Sequence, residues 1–162
     1  MNKVCKVDMK RLSWDEYFMQ IAQSAQARSN CIRDSVGAVI VKEKSIIATG
    51  YNGTPAGITN CVDGGCKRCL DRHTNILKTN ERKDLCICVH AELNALLQSA
   101  YHGASTKGAT LYSTIAPCLQ CAKAIINAGI SEVIYKQPHT TEGIDTNGTD
   151  LLSKAGLKVK QI

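Results

Sequence analysis

Residues 109–135 read ATLYSTIAPCLQCAKAIINAGISEVIY, and this stretch decides the fold. Ala109 to Ser113 is a short β-type run that leads into Ala116-Pro117-Cys118. A helix starts at Pro117, where a missing N–H is no loss, with Ala122, Ile125 and Ile126 as its buried stripe and Gly129 just past its end. Glu132 to Tyr135 is a second strand. Strand, helix, strand in that order is a βαβ unit, whose right-handed crossover makes the two strands parallel.

Working outward, Ser13 and Glu16 form a capping-box pattern ahead of Trp14, Phe18, Ile21, Ala22 and Ala25, which predicts a helix over about 14–28. Val36 to Val41 and Ile46 to Thr49 are apolar runs split by Glu43-Lys44, a hairpin. Val89, Leu93, Leu96 and Leu97 mark one face of a helix over 89–100. The tail repeats the theme with a helix over 149–155, Gly156 as its stop and a strand over 157–162. The sum is an α/β chain with a mixed sheet and helices on both faces, read as a single domain over 1–162. The Cys-rich stretch from Pro55 to Cys88 lacks periodicity and is too long for a free loop, so a metal is expected to tie it down.

The 162 residues suffice for one core without staples. An apolar fraction of 44% with 21% charged residues excludes disordered, collagen-like and coiled-coil chains, and 4% aromatics argues against a base-stacking platform. No apolar run nears the roughly 18–20 residues a bilayer needs, and the first residues lack a signal-peptide pattern, so a cytoplasmic protein without a membrane partner is expected. Nine cysteines, an odd number, then point to metal or catalytic thiols rather than disulfides. The net charge of +6 suits an anionic partner or merely a solubilising surface. Its dispersion, with no basic run, argues against nucleic acid.

The chemistry concentrates in His90-Ala91-Glu92 and Pro117-Cys118-Leu119-Gln120-Cys121, each at a helix start. Cysteines three apart in a first turn present both sulfurs on one side, and helix dipoles favour their thiolates. An imidazole makes three ligands and leaves a fourth position open, as a catalytic rather than a structural zinc requires. Glu92 can lie beside the open position without ligating. Taken singly, Cys-x-x-Cys is shared with redox motifs and zinc ribbons, but His-x-Glu joined to Pro-Cys-x-x-Cys is the general signature of zinc deaminases.

The blocks Gly50-Tyr51-Asn52-Gly53-Thr54-Pro55-Ala56-Gly57, His90-Ala91-Glu92-Leu93-Asn94-Ala95 and Pro117-Cys118 through Gly129-Ile130 resemble the deoxycytidylate (dCMP) deaminases of bacterial and viral type, a likeness that runs from about Trp14 to Ile162. The resemblance implies the cytidine-deaminase fold, a three-layer α/β/α arrangement around a five-stranded mixed sheet, assembled as a homohexamer. It implies hydrolysis of dCMP to dUMP and ammonia, with dCTP as activator and dTTP as inhibitor. Carried over by residue, His90, Cys118 and Cys121 hold zinc and Glu92 is the general acid and base. Ala91 and Pro117 are expected beside the substrate, with Asn52 a candidate for sugar or base and Arg28 and Ser29 for phosphate. Asn52-Gly53 also reads as a plain turn, and Arg28 as a cation at a helix end. Regulatory contacts are sought at the Asn52-Gly53 loop and near Tyr101 and His102.

The resemblance further implies an additional structural zinc, for which Cys31, Cys61, Cys66 and one of Cys86 or Cys88 form the expected quartet, in an insertion over about 61–88. Cys69 and His73 depart from that pattern; they replace a ligand or build another site. Buried free thiols are the competing reading, and Cys5 is expected to be a free thiol. Three functional alternatives stay open: action on dCTP as well as or instead of dCMP, action on cytidine or a transfer-RNA adenosine, and a non-catalytic zinc module. The last has no use for Glu92.

Overall fold

The computed structural model describes residues 11–78, 81–139 and 148–162. Cys5 lies outside them. Helix α1 (Trp14–Gln26) opens on a reciprocal capping box. The Glu16 N–H donates to Ser13 Oγ at 3.2 Å, and the Ser13 N–H donates to the Glu16 carboxylate at 2.7 Å. The helix ends two residues before the expected 28, because the N–H groups of Arg28 and Ser29 close tighter turns onto the carbonyls of Ala25 and Gln26.

Strands β1 (Gly37–Lys42) and β2 (Ser45–Tyr51) form the expected antiparallel hairpin. Its two-residue turn has positive φ at both Glu43 (50°) and Lys44 (62°), as the twist of a tight hairpin demands. Strands β3 (Thr110–Ile115), β4 (Glu132–Gln137) and β5 (Lys158–Gln161) pair in parallel, and β3 runs antiparallel to β1. The result is a five-stranded mixed sheet of order β2-β1-β3-β4-β5.

Alternation along the strands builds three layers. Val39, Val41, Tyr112 and Ile134 face Phe18, Met19 and Ala22 of α1. Their neighbours Ala38, Ile40, Leu111 and Val133 face the opposite way, into the main core. That core is closed by a seven-residue helix over Gly148–Lys154 and by two longer ones over Ala91–Tyr101 and Leu119–Asn127. A further short helix lies at Lys67–His73, so in chain order these four are α2 (67–73), α3 (91–101), α4 (119–127) and α5 (148–154). Asp15 of α1 accepts from the Tyr112 hydroxyl at 3.0 Å and from Lys160 Nζ at 2.6 Å, tying α1 to β3 and β5.

Two local expectations change. Pro117 lies one residue outside α4, and Cys118 is the N-cap, with the extended backbone (φ −71°, ψ 170°) that position requires. Gly129 does sit past the helix end, at φ +73°. The buried face of α3 is Ala91, Glu92, Ala95, Leu96 and Ser99, while Leu97 is 53% exposed. The cause is Gly50 on β2: a Cβ there would lie 2.2 Å from the Ala91 carbonyl oxygen and 2.5 Å from the Ala95 nitrogen. Strand and helix touch backbone to backbone, and only small residues fit between. In the Cys-rich stretch, where the sequence showed no periodicity, the structure places α2 and two 3₁₀ turns (Cys61–Asp63 and Lys83–Leu85). These pieces are too short to show a period.

Gly50→Ala is expected to force α3 off β2 and to cost about 2–3 kcal/mol, within the usual range for overpacking, measured as a lowered urea midpoint at unchanged m-value.

Candidate metal centre and catalytic cavity

Two helix starts converge beyond the carboxyl end of β3. His90 is the N-cap of α3 and Cys118 that of α4, with Cys121 in the first turn of α4. Val89 is held by a two-way backbone bridge to Gly53 (3.1 and 2.8 Å), which fixes the entry into α3. On the other side, the Ala116 N–H donates to the Gln137 carbonyl at 2.8 Å and extends the β3–β4 ladder up to Pro117.

The three side chains meet through one imidazole nitrogen. His90 Nδ1 lies 3.5 Å from Cys118 Sγ and 3.4 Å from Cys121 Sγ, and all three donor atoms fall within 4.8 Å of one another. A tetrahedral zinc with Zn–N of roughly 2.05 Å and Zn–S of roughly 2.3 Å sets an N···S edge of about 3.6 Å. The trio fits that ion. Hydrogen bonds from Cys121 and His90 hold the Cys118 thiol down to about 3, while the bond to Cys118 and burial push Cys121 up. The same contact with Cys118 raises His90 to about 9.

Glu92 is 4% exposed, and burial pushes its carboxyl up to about 7 against the opposing pull of His90. It lines a cavity of about 490 Å³ together with His90, Ala91, Cys118, Ala116 and Asn52. Arg33, Lys83 and His139 also line it, as do Asp84 and Asp34, the latter paired with Arg33 at 3.4 Å. Arg28 is exposed and absent from the lining; Pro117 is buried and also absent from it. The chain reverses after α1, and it is Arg33, five residues on, that reaches the cavity. Arg33, Lys83 and His139 carry no local pattern by which the sequence could single them out.

Asn52 is not at a turn. It ends β2, 7% exposed, and its amide knits the loop after α1 in place. Its Oδ1 accepts from Ser29 Oγ at 2.7 Å and from the Val36 N–H at 2.8 Å, and its Nδ2 donates to the Asp34 carbonyl at 2.6 Å. Ser29 therefore serves Asn52 here rather than the cavity.

The remaining six cysteines also come together. The donor atoms of Cys31, Cys61, Cys69 and Cys88 lie within 4.8 Å of one another, and so do those of Cys66, Cys69, Cys86 and Cys88. The expected quartet mixed members of both groups and omitted Cys69, which belongs to each. Its Cys66-x-x-Cys69 spacing on one helical face was the available signal. His73 joins neither group.

Residues 12–137 match the family model described as the cytidine and deoxycytidylate deaminase zinc-binding region. The chain belongs to this family. Deoxycytidylate deaminase of Saccharomyces cerevisiae is 46% identical over 153 residues, covering 94% of this chain and 46% of its own length. Deoxycytidylate deaminase of Schizosaccharomyces pombe is 44% identical over 151 residues, covering 93% and 44%. The chain thus spans about half the length of these yeast relatives. Among solved structures, dCMP deaminase of the cyanophage S-TIM5 in complex with dCMP and dUMP superposes at TM-score 0.72 with 35% identity, over 91% of this chain and 95% of that one. The fold is the deaminase family's, and the trio of donors fits the zinc of the matched region. No helix among the described residues is long and apolar enough to cross a membrane.

Asn52→Ala is expected to strand the Val36 N–H and the Asp34 carbonyl, while the Ser29 hydroxyl keeps the backbone carbonyl of residue 52, and to cost about 2 kcal/mol in lost hydrogen bonds and desolvation. Urea denaturation monitored by circular dichroism reads it directly.

Proposed function

We propose that the chain hydrolyses dCMP to dUMP and ammonia in the cavity lined by His90, Cys118 and Glu92. The observation that carries this reading is a buried carboxylate beside a three-donor zinc site with an open fourth position, inside a cavity large enough for a nucleotide. The cyanophage relative, whose crystals hold dCMP and dUMP, supports the choice of substrate. His90 Nδ1 and the sulfurs of Cys118 and Cys121 would hold the ion, which supplies Lewis-acid activation of water when bound.

Glu92 then does the proton work. Its carboxylate accepts a proton from the attacking water, delivers it to the ring nitrogen next to the reacting carbon, then takes the proton of the newly added hydroxyl and passes it to the departing amine. Water is consumed, the C–N bond breaks and a carbonyl remains. A carboxyl held near neutrality by burial suits both acceptance and donation. The helix starts of α3 and α4 add N–H groups and positive dipole ends where negative charge develops. Ala91 and Asn52 line the cavity as walls for base and sugar, and Arg33 with Lys83 offers the cations for the phosphate.

Regulation by dCTP and dTTP in a homohexamer is proposed on the resemblance alone. Its check is the substrate curve of the purified oligomer, expected to steepen with dTTP and to relax with dCTP; an unchanged curve with both removes it.

Ammonia release is expected with dCMP and not with deoxycytidine or cytidine. Equal release from dCTP would show that the phosphate end of the cavity is open. Glu92→Gln is expected to lower kcat by roughly 10²–10⁴ while zinc content, read by mass spectrometry, is unchanged. Loss of the metal with the activity would make Glu92 a structural residue instead.

Arg33→Ala is expected to raise KM for dCMP about tenfold or more, the loss of one charge-assisted contact, with a smaller change in kcat. Arg28→Ala is expected to leave both alone.

A further inference from the structure

The described residues of 55–88 contribute no strand to the sheet and one α-helix, of seven residues, beside two 3₁₀ turns. Among the described residues of this stretch, Ile58, Val62, Leu70, Ile76, Leu85 and Ile87 face solvent, 42–70% exposed. What is buried instead is sulfur. Cys61, Cys66 and Cys69 are 0–1% exposed and form a core of their own, with Cys31, Cys86 and Cys88 packed against it. A segment whose interior is thiols lacks the apolar burial that would order it, and a bound metal is the usual substitute.

The two groups of four donors share Cys69 and Cys88. Two tetrahedra joined along an edge require six corners, and six cysteines are present. The measured contacts match such corners: Cys66 to Cys86 is 3.9 Å, Cys69 to Cys86 3.6 Å and Cys69 to Cys88 3.9 Å. A tetrahedral zinc with Zn–S of roughly 2.3 Å sets S···S edges of about 3.8 Å. A disulfide would need roughly 2.05 Å, and all six thiols are free.

We propose that Cys31, Cys61, Cys66, Cys69, Cys86 and Cys88 hold two zinc ions in one binuclear thiolate cluster, with the sulfurs of Cys69 and Cys88 bridging them. Cys31 and Cys61 complete one ion, Cys66 and Cys86 the other. A thiolate keeps lone pairs after binding one ion, so it can serve two. Six thiolates around two dications leave net negative charge, and the guanidinium of Arg33 lies close enough to Cys86, Cys31 and Cys69 to offset it. Arg68, 2% exposed and donating to the Glu81 carbonyl, sits next to Cys69 on α2. A single four-cysteine ion leaves one buried and one half-buried cysteine out of its shell and gives no reason for the shared pair.

The test is native mass spectrometry of the intact protein purified with zinc, together with ¹¹³Cd NMR of the cadmium-exchanged protein. About three zinc equivalents per chain are expected, one at His90, Cys118 and Cys121 and the others in the cluster. Cys118→Ser is expected to lower the count by about one. It should leave two thiolate-bound cadmium resonances, each split by the other through the bridging sulfurs. A wild-type count of about two, with Cys118→Ser retaining one, overturns the binuclear cluster and leaves the catalytic reading standing. Unsplit cadmium resonances overturn the bridge. Three equivalents that Cys118→Ser does not reduce, with the split pair intact, would keep the cluster and remove the catalytic zinc instead. The split pair in the wild-type spectrum carries the decision even where Cys118→Ser fails to fold.

Discussion

Two helix starts must meet at one imidazole nitrogen, and most of the molecule is arranged around that demand. Nδ1 of His90 can approach both sulfurs to 3.4–3.5 Å only if α3 and α4 begin side by side on the same face of the sheet. The right-handed β3-α4-β4 crossover puts α4 on that face, and the Gly50 contact presses α3 down beside it. A single added methyl between β2 and α3 moves a donor that lies forty residues further along the chain. The open position over the site is a product of the same geometry, since neither helix has a fourth ligand to offer among the described residues.

Charge and burial are then set against each other. Glu92 is buried far enough to hold its proton near neutrality, yet it neighbours a group that would carry a cation. The positive ends of two helices face the cavity, whose rim carries mixed charge, Arg33 and Lys83 against Asp34 and Asp84. None of this follows from the net charge of the chain, which is spread over the surface. The local arrangement decides it.

The βαβ unit, the hairpin and the capping box of α1 were legible because each is written in neighbouring residues: a two- or 3.6-residue period, a cap, a stop glycine. The His90, Cys118 and Cys121 spacing was legible as a motif for the same reason. The stripe on α3 was misread because leucines outrank alanines on any hydrophobic scale, whereas a close backbone approach selects the alanines. Helix α2 escaped because seven residues span barely two turns. Asn52 read both as a cavity contact and as a turn because Asn-Gly is a turn signal in isolation, and its three side-chain hydrogen-bond partners lie 16–23 residues away. Of the six cysteines only the Cys66-x-x-Cys69 spacing was legible, since which of the other sulfurs meet depends on how α1, α2 and the strand ends dock.

Cys31, Cys86 and Cys88 stand both in the thiol core and in the wall of the cavity that holds His90 and Glu92. One wall with two tenants makes their occupancies thermodynamically linked. By whatever factor a metal among the cysteines changes the cavity's affinity for its ligand, the ligand changes the affinity of that metal by the same factor. Scarcity of the metal would then be felt as a weakened grip on small molecules at a site the metal never touches.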